Sequence, residues 1–249
     1  MQVSLGGGLK ASPGGVVQVS LNGDVETSPG DDLEASLGGD MQVSLGGGLK
    51  ASPGGVVQVS LNGDVETSPG DDLEASLGGD MQVSLGGGLK ASPGGVVQVS
   101  LNGDVETSPG DDLEASLGGD MQVSPGGDLK ASPGDVVQVS LNGDVETSPG
   151  DDLEASLGGD MQVSPGGDLK ASPGGVMQVS LNGDVETSPG DDLEASLGGD
   201  MQVSPGGDLK ASPGGVMQVS LNGDVETSPG DDLEANTRAV TCRHPRAMT

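Results

Sequence analysis

The chain has 249 residues but no Phe, Tyr or Trp, and its 48 Gly and 16 Pro make up about a quarter of it, so the aromatic-rich core of an ordinary globular domain is excluded. Thirty-nine acids against nine Lys and Arg give a formal net charge of −30, which opposes binding to nucleic acid and to anionic membrane surfaces. No run of about 18 apolar residues could span a bilayer as a helix, and the opening MQVSLGGGLKAS has neither the basic region nor the apolar stretch of a secretory signal, so no compartment is indicated.

The chain then proceeds by repetition. A 40-residue unit begins at Met1, Met41, Met81, Met121, Met161 and Met201, and its first three copies are identical. Each unit divides into five octads, MQVSLGGG, LKASPGGV, VQVSLNGD, VETSPGDD and LEASLGGD. The tandem octapeptide array occupies residues 1–235, its last unit truncated after LEA, and a non-repeat basic tail follows over 236–249.

Within an octad, position 1 is Leu, Val or Met, position 3 is Val, Ala or Thr, and position 5 is Leu or Pro. Polar residues alternate with these, Gln, Lys or Glu at position 2 and Ser at position 4, which is the period of a half-buried strand. Positions 6–8 mostly read GGD, NGD or GDD, with GGG and GGV in the first two octads of a unit, and this is turn chemistry; Asn-Gly suits a type I′ turn, and Pro-Gly suits type II. A helix is ruled out, because each Gly costs about 1 kcal/mol and each Pro about 3 kcal/mol in a helix interior.

The predicted fold class is therefore an all-β repeat protein: a β-solenoid of strand-turn octads, two octads per 16-residue coil, with positions 1, 3 and 5 pointing inward. Its energy balance is close. Ordering an octad costs roughly 12 kcal/mol at about 1.5 kcal/mol per residue. Burial returns about 4–6 kcal/mol and backbone hydrogen bonds on the order of 5 kcal/mol. A chain that falls short of this balance is a disordered low-complexity polymer, and disorder is the expected state of the isolated chain in water. Because a unit has five octads and a coil two, successive lysines should alternate between faces, Lys10 and Lys90 on one, Lys50 and Lys130 on the other. The same arithmetic makes position 8 a column along each edge, Gly8, Asp24, Asp40, Val56 and Asp72 in one of them, and the position-7 acids Asp31 and Asp71 join the columns. Such an acidic column should oppose folding, and its hard oxygen ligands would suit Ca²⁺, making divalent cations the one partner suggested. A short apolar strand after GGD is similar to the calcium-binding nonapeptide repeats of secreted β-rolls, G-G-x-G-x-D-x-U-x, a resemblance that implies a β-solenoid. The present repeat has eight residues and lacks that family's second Gly and following Asp.

The tail has a different vocabulary, with the only Cys, the only His and all three Arg. Cys242 and His244 form C-x-H with no further Cys or His to complete a four-ligand zinc site. Reading plausible codons for residues 222–233 from the second base reproduces nine of the eleven residues of AVTCRHPRAMT, so the tail is most simply the same DNA repeat shifted in frame near residues 235–237. Most substitutions within octad columns also need only one nucleotide change. The sequence accordingly predicts no catalytic, cofactor-binding or metal-binding residue, no enzyme activity and no cofactor. It predicts instead a non-enzymatic acidic low-complexity repeat protein, an open reading frame through minisatellite-like DNA without a selected activity. The alternative is a structural surface or matrix protein, a weakly Ca²⁺-responsive β-solenoid or a hydrated polymer resembling elastomeric repeats.

Overall fold

A computed structural model describes residues 2–5, 7–12, 14–221, 223–227 and 233–237 of the chain. It divides into two compact units, Met1–Gly127 and Asp128–Thr249. Each is a parallel β-solenoid with the same construction, and no described residue is helical.

Strands form where the alternation predicts them. In the first unit they run from Gln2–Leu5 to Met121–Val123, in the second from Leu129–Ser132 to Leu233–Thr237, one strand per octad. Within each unit the described strands pair in parallel with the strand two octads away: Val17 lies beside Leu33, and Leu33 beside Leu49. The register is therefore i to i+16, and one coil consists of two octads. In each unit, odd-numbered octads build one sheet and even-numbered octads the other. Lys10 and Lys90 fall in one sheet of the first unit and Lys50 in the other, as the odd number of octads per unit requires.

Position 1, 3 and 5 side chains meet between the two sheets. A strand such as Leu33–Leu37 buries Leu33, Ala35 and Leu37 and exposes Glu34 and Ser36. Position 1 is sealed most completely, with Val57, Val97 and Met177 all at 0 % exposure. Each such side chain contributes roughly 1.5–3 kcal/mol relative to exposure. Three of the buried threonines at position 3 donate Oγ1–H to the previous coil, Thr67 to the Ala51 carbonyl and Thr107 to that of Ala91, both at 3.1 Å, and Thr187 to that of Ala171. Thr147 Oγ1 is buried without a partner among the described residues. Thr187 Oγ1 also lies 3.1 Å from Met177 Sδ across the interior.

Proline at position 5 is buried like the leucine it replaces, but it has no N–H to give to a ladder. The copies show the effect directly. MQVSL forms a five-residue strand at Met81–Leu85, whereas MQVSP forms only the three-residue strand Met121–Val123. LKASP octads are less affected, their strands reaching Ser52 in one copy and Pro93 in another.

The corners correct one expectation. Type I′ and type II turns both need positive φ, yet no described residue, glycine or other, has it. Glycine serves close approach instead. A Cβ on Gly79 would lie 2.8 Å from the carbonyl carbon and oxygen of Gly63 in the coil beneath, and would strike Asp64 Oδ1 as well. The stacking of corner on corner, rather than the local dipeptide, sets the backbone path here.

Candidate functional site

The chemistry of the chain lies in two kinds of ladder running from coil to coil. The first is the aspartate column at position 8. Its geometry follows from the corner's donors. Position 6 N–H donates to a position 5 carbonyl below, as Gly70 does to Pro53 at 3.2 Å. Position 7 N–H reaches a position 7 carbonyl, as Gly95 does to Gly79 at 3.1 Å, and position 1 N–H turns upward, as Leu49 does to Asp64 at 2.9 Å. Position 8 N–H is left over, and the aspartate of the coil beneath accepts it. Asp24 Oδ1 accepts from Asp40 N at 3.0 Å, and Asp40 Oδ1 from Val56 N at 3.0 Å. Asp64 does the same for Asp80, and Asp144 for Asp160. The columns predicted from the arithmetic are thus present, but each of these carboxylates is held by a backbone donor. Buried or half-buried backbone groups need such partners, so the acids help to close the corner as well as repelling one another.

The position-7 acids fit the same logic. Asp31 and Asp71 lie one coil above Gly15 and Gly55, beside Val16 and Val56, where position 8 of the coil beneath has no carboxylate to collide with. Among the described residues the large exposed apolar side chains are the six valines at this place in the unit, Val16 at 52 % and Val56 at 39 % among them.

The second ladder is at position 2, and sequence reading missed it. Neighbouring octads in the chain place Gln on either side of each Lys. Neighbouring coils place Glu there. Lys50 lies between Glu34 and Glu66, Lys90 between Glu74 and Glu106, and Lys210 between Glu194 and Glu226. Lys50 Nζ is 3.0 Å from Glu66, Lys90 Nζ 3.1 Å from Glu106, and Lys210 Nζ 2.8 Å from Glu194. The hydrogen bond and then the charge of Glu194 raise the Lys210 pKa above its ordinary value, against desolvation, and Glu226 adds least to the rise. Glutamines continue the ladder: Gln18 Nε2 donates to Glu34 at 2.9 Å and Gln58 Nε2 to Glu74 at 3.3 Å. The signal for this was available, since reading octads in the order 1, 3, 5, 2, 4 gives Gln, Gln, Glu, Lys, Glu down each face.

Between the position 8 edge and the position 2 face runs an open groove of about 1070 Å³ in the first unit, passing Val16, Asp32, Lys50, Asp64, Glu66 and Val96. A similar groove of about 590 Å³ in the second unit passes Val136, Asp152, Lys170, Asp184, Glu186 and Val216. Among the described residues no group of three or more His, Cys, Asp or Glu is placed to hold a metal ion. Cys242 and His244 lie outside the described residues. No described helix is long and apolar enough to cross a membrane.

Comparison with known proteins returns no match to a protein-family model, a curated protein or a solved structure.

Proposed function

We propose that this chain is a non-enzymatic structural repeat protein, an acidic β-solenoid whose place is on a surface or in a matrix. The observation that carries this reading is the use made of the polar side chains. Aspartates at position 8, Lys, Glu and Gln at position 2 and most Thr at position 3 supply bonds from one coil to the next. A chain whose polar chemistry is spent on its own stacking is suited to holding a shape. Two experiments test it. Far-UV circular dichroism of the purified chain should show a strand minimum near about 218 nm, and a coil minimum near about 200 nm contradicts an ordered structural role. Fractionation of the source organism should recover the chain with surface or matrix material.

A second reading is favoured by the frame-shifted tail and the single-nucleotide column variation: an open reading frame through repetitive DNA with no selected activity. Peptide mass spectrometry separates the two. Abundant ASLGGDMQVSLGGGLK peptides support the structural protein, and their absence alongside a transcribed gene supports the unselected frame.

A further inference from the structure

Each VQVSLNGD or MQVSLNGD octad carries one Asn-Gly pair at its corner, and Asn62, Asn102 and Asn182 are all exposed there. What lies beneath them differs. Residues 102–104 sit on the all-glycine corner 86–88, whereas residues 182–184 sit on 166–168, which ends in an aspartate. Asp168 Oδ1 accepts the Asp184 N–H at 2.9 Å, and a Cβ on Gly183 would lie 2.5 Å from the same oxygen. Gly88 has no such oxygen to give. Among the described residues nothing accepts the N–H of Asn102, Gly103 or Asp104, and the nearest atoms to a Cβ on Gly103 all belong to the backbone of Gly87 and Gly88. The Asn62 corner, over residues 46–48, is built as the Asn102 corner is.

An Asn-Gly pair contains both partners of a cyclisation. The Gly nitrogen gives its proton to solvent base and attacks the Asn side-chain carbonyl carbon. The new N–C bond forms, the bond to Nδ2 breaks, and ammonia takes up a proton and leaves. Water then opens the cyclic imide, giving aspartate if it breaks the new bond and isoaspartate if it breaks the main-chain one. Water enters, ammonia leaves, and nothing is oxidised or reduced. Glycine, without a Cβ, leaves its nitrogen open to this attack. Closing the ring swings the Asn–Gly peptide, which an anchored N–H on the next residue resists. A carboxylate beside the Gly nitrogen also disfavours the amide anion that attacks. Both effects retard Asn182, and neither acts at Asn102.

We propose that Asn62 and Asn102, on their all-glycine corners, are sites of spontaneous deamidation, and that Asp168 protects Asn182 from the same reaction. This rests on the reading of the chain as an ordered solenoid, because QVSLNGDVETSPG surrounds both Asn102 and Asn182 and an unfolded chain would treat them alike. Each event adds a negative charge beside the position 8 column of a chain already at −30. The isoaspartate form also lengthens the main chain at a corner, against the register that pairs Met81 with Val97.

The test is incubation of the full 249-residue chain at mildly alkaline pH, in buffer and in urea that abolishes the strand signal, with far-UV circular dichroism on the same samples. Trypsin and mass spectrometry then read each site. Asn102 and Asn182 fall in the tryptic peptides 91–130 and 171–210, which Val97 and Met177 tell apart. In buffer Asn102 should turn into acid about fivefold faster than Asn182, the factor to which one net hydrogen bond amounts. In urea the two rates should coincide. Gly88→Asp sets a carboxylate under the Asp104 N–H and should bring Asn102 down to the rate of Asn182. A strand spectrum in buffer with Asn102 no faster than Asn182 overturns the proposal alone. So does a difference that persists in urea, or one that Gly88→Asp leaves untouched. A coil spectrum in buffer overturns both the proposal and the structural reading beneath it.

Discussion

Asp64 illustrates how a residue that looks like a liability acquires a role. In a column of acids it adds to the repulsion, but its Oδ1 takes the Asp80 N–H at 3.0 Å, a donor that no carbonyl of the corner reaches. Asp64→Ala should therefore destabilise the first unit by roughly 1 kcal/mol, the net worth of a solvent-facing hydrogen bond. Asp64→Asn keeps an acceptor oxygen and removes a charge, so its melting temperature should equal or exceed that of the parent. If Ala and Asn variants melt together, the bond contributes nothing. Gly79 makes the complementary case. Its Cβ would press on the Gly63 backbone and on Asp64 Oδ1, and Gly79→Ala should cost about 1–3 kcal/mol in thermal or denaturant unfolding through overpacking. A parent-like melting curve would show that the corner gives way more easily than its geometry suggests.

At the scale of the strand, the position-2 ladder sets charge against charge across parallel neighbours about 4.8 Å apart. Lys90 stands between Glu74 and Glu106. Lys90→Glu makes three adjacent acids and should lower stability by about 1 kcal/mol, with the loss shrinking in high salt. Lys90→Gln should lose less, because glutamine already bonds to glutamate in the same ladder at Gln58 and Glu74. Equal melting temperatures for the Glu and Gln variants would remove the ladder from the account. The sign of the pH dependence follows from Lys210, whose pKa is raised in the folded chain. A raised lysine stabilises while it is charged, so its contribution is complete below the ordinary lysine pKa of about 10.4 and fades as pH climbs beyond it. Any excess in melting temperature of the parent over Lys210→Gln should be constant below about pH 10.4 and shrink above it, and an excess that grows with pH would contradict this sign.

Much of this was legible from the sequence, and the divide between what was and what was not is physical. The strands follow from alternation, as in LEASL at Leu33–Leu37, and the opposite faces of Lys10 and Lys50 follow from five octads against two. The position-2 triads follow from the same arithmetic but need a residue to be read against the one sixteen places away, not against its neighbours. The corner was misread because Asn-Gly and Pro-Gly have strong local preferences that a stacked neighbour overrides. At Gly79 the coil beneath, not φ, is what demands glycine.

For the molecule as a whole, the net charge of −30 makes screening a stabilising influence, and added NaCl should raise the melting temperature. CaCl₂ at matched ionic strength should act alike, because carboxylates such as Asp24 and Asp64 are already engaged by backbone N–H groups. A larger effect of Ca²⁺ would mean that the acids also form cation sites in solution. The central claim, two octads per coil, is tested most directly by a distance. Gln18 and Gln98 lie on the same face of the first unit, in the strands Val17–Leu21 and Val97–Leu101, eighty residues and five coils apart. Spin labels on Gln18→Cys and Gln98→Cys, in a chain carrying Cys242→Ser, can be measured by pulsed electron paramagnetic resonance in solution. A solenoid with about 4.8 Å between coils gives a narrow distribution centred near about 24 Å. An unfolded segment of that length gives a broad one near about 50 Å, and that result would contradict the account.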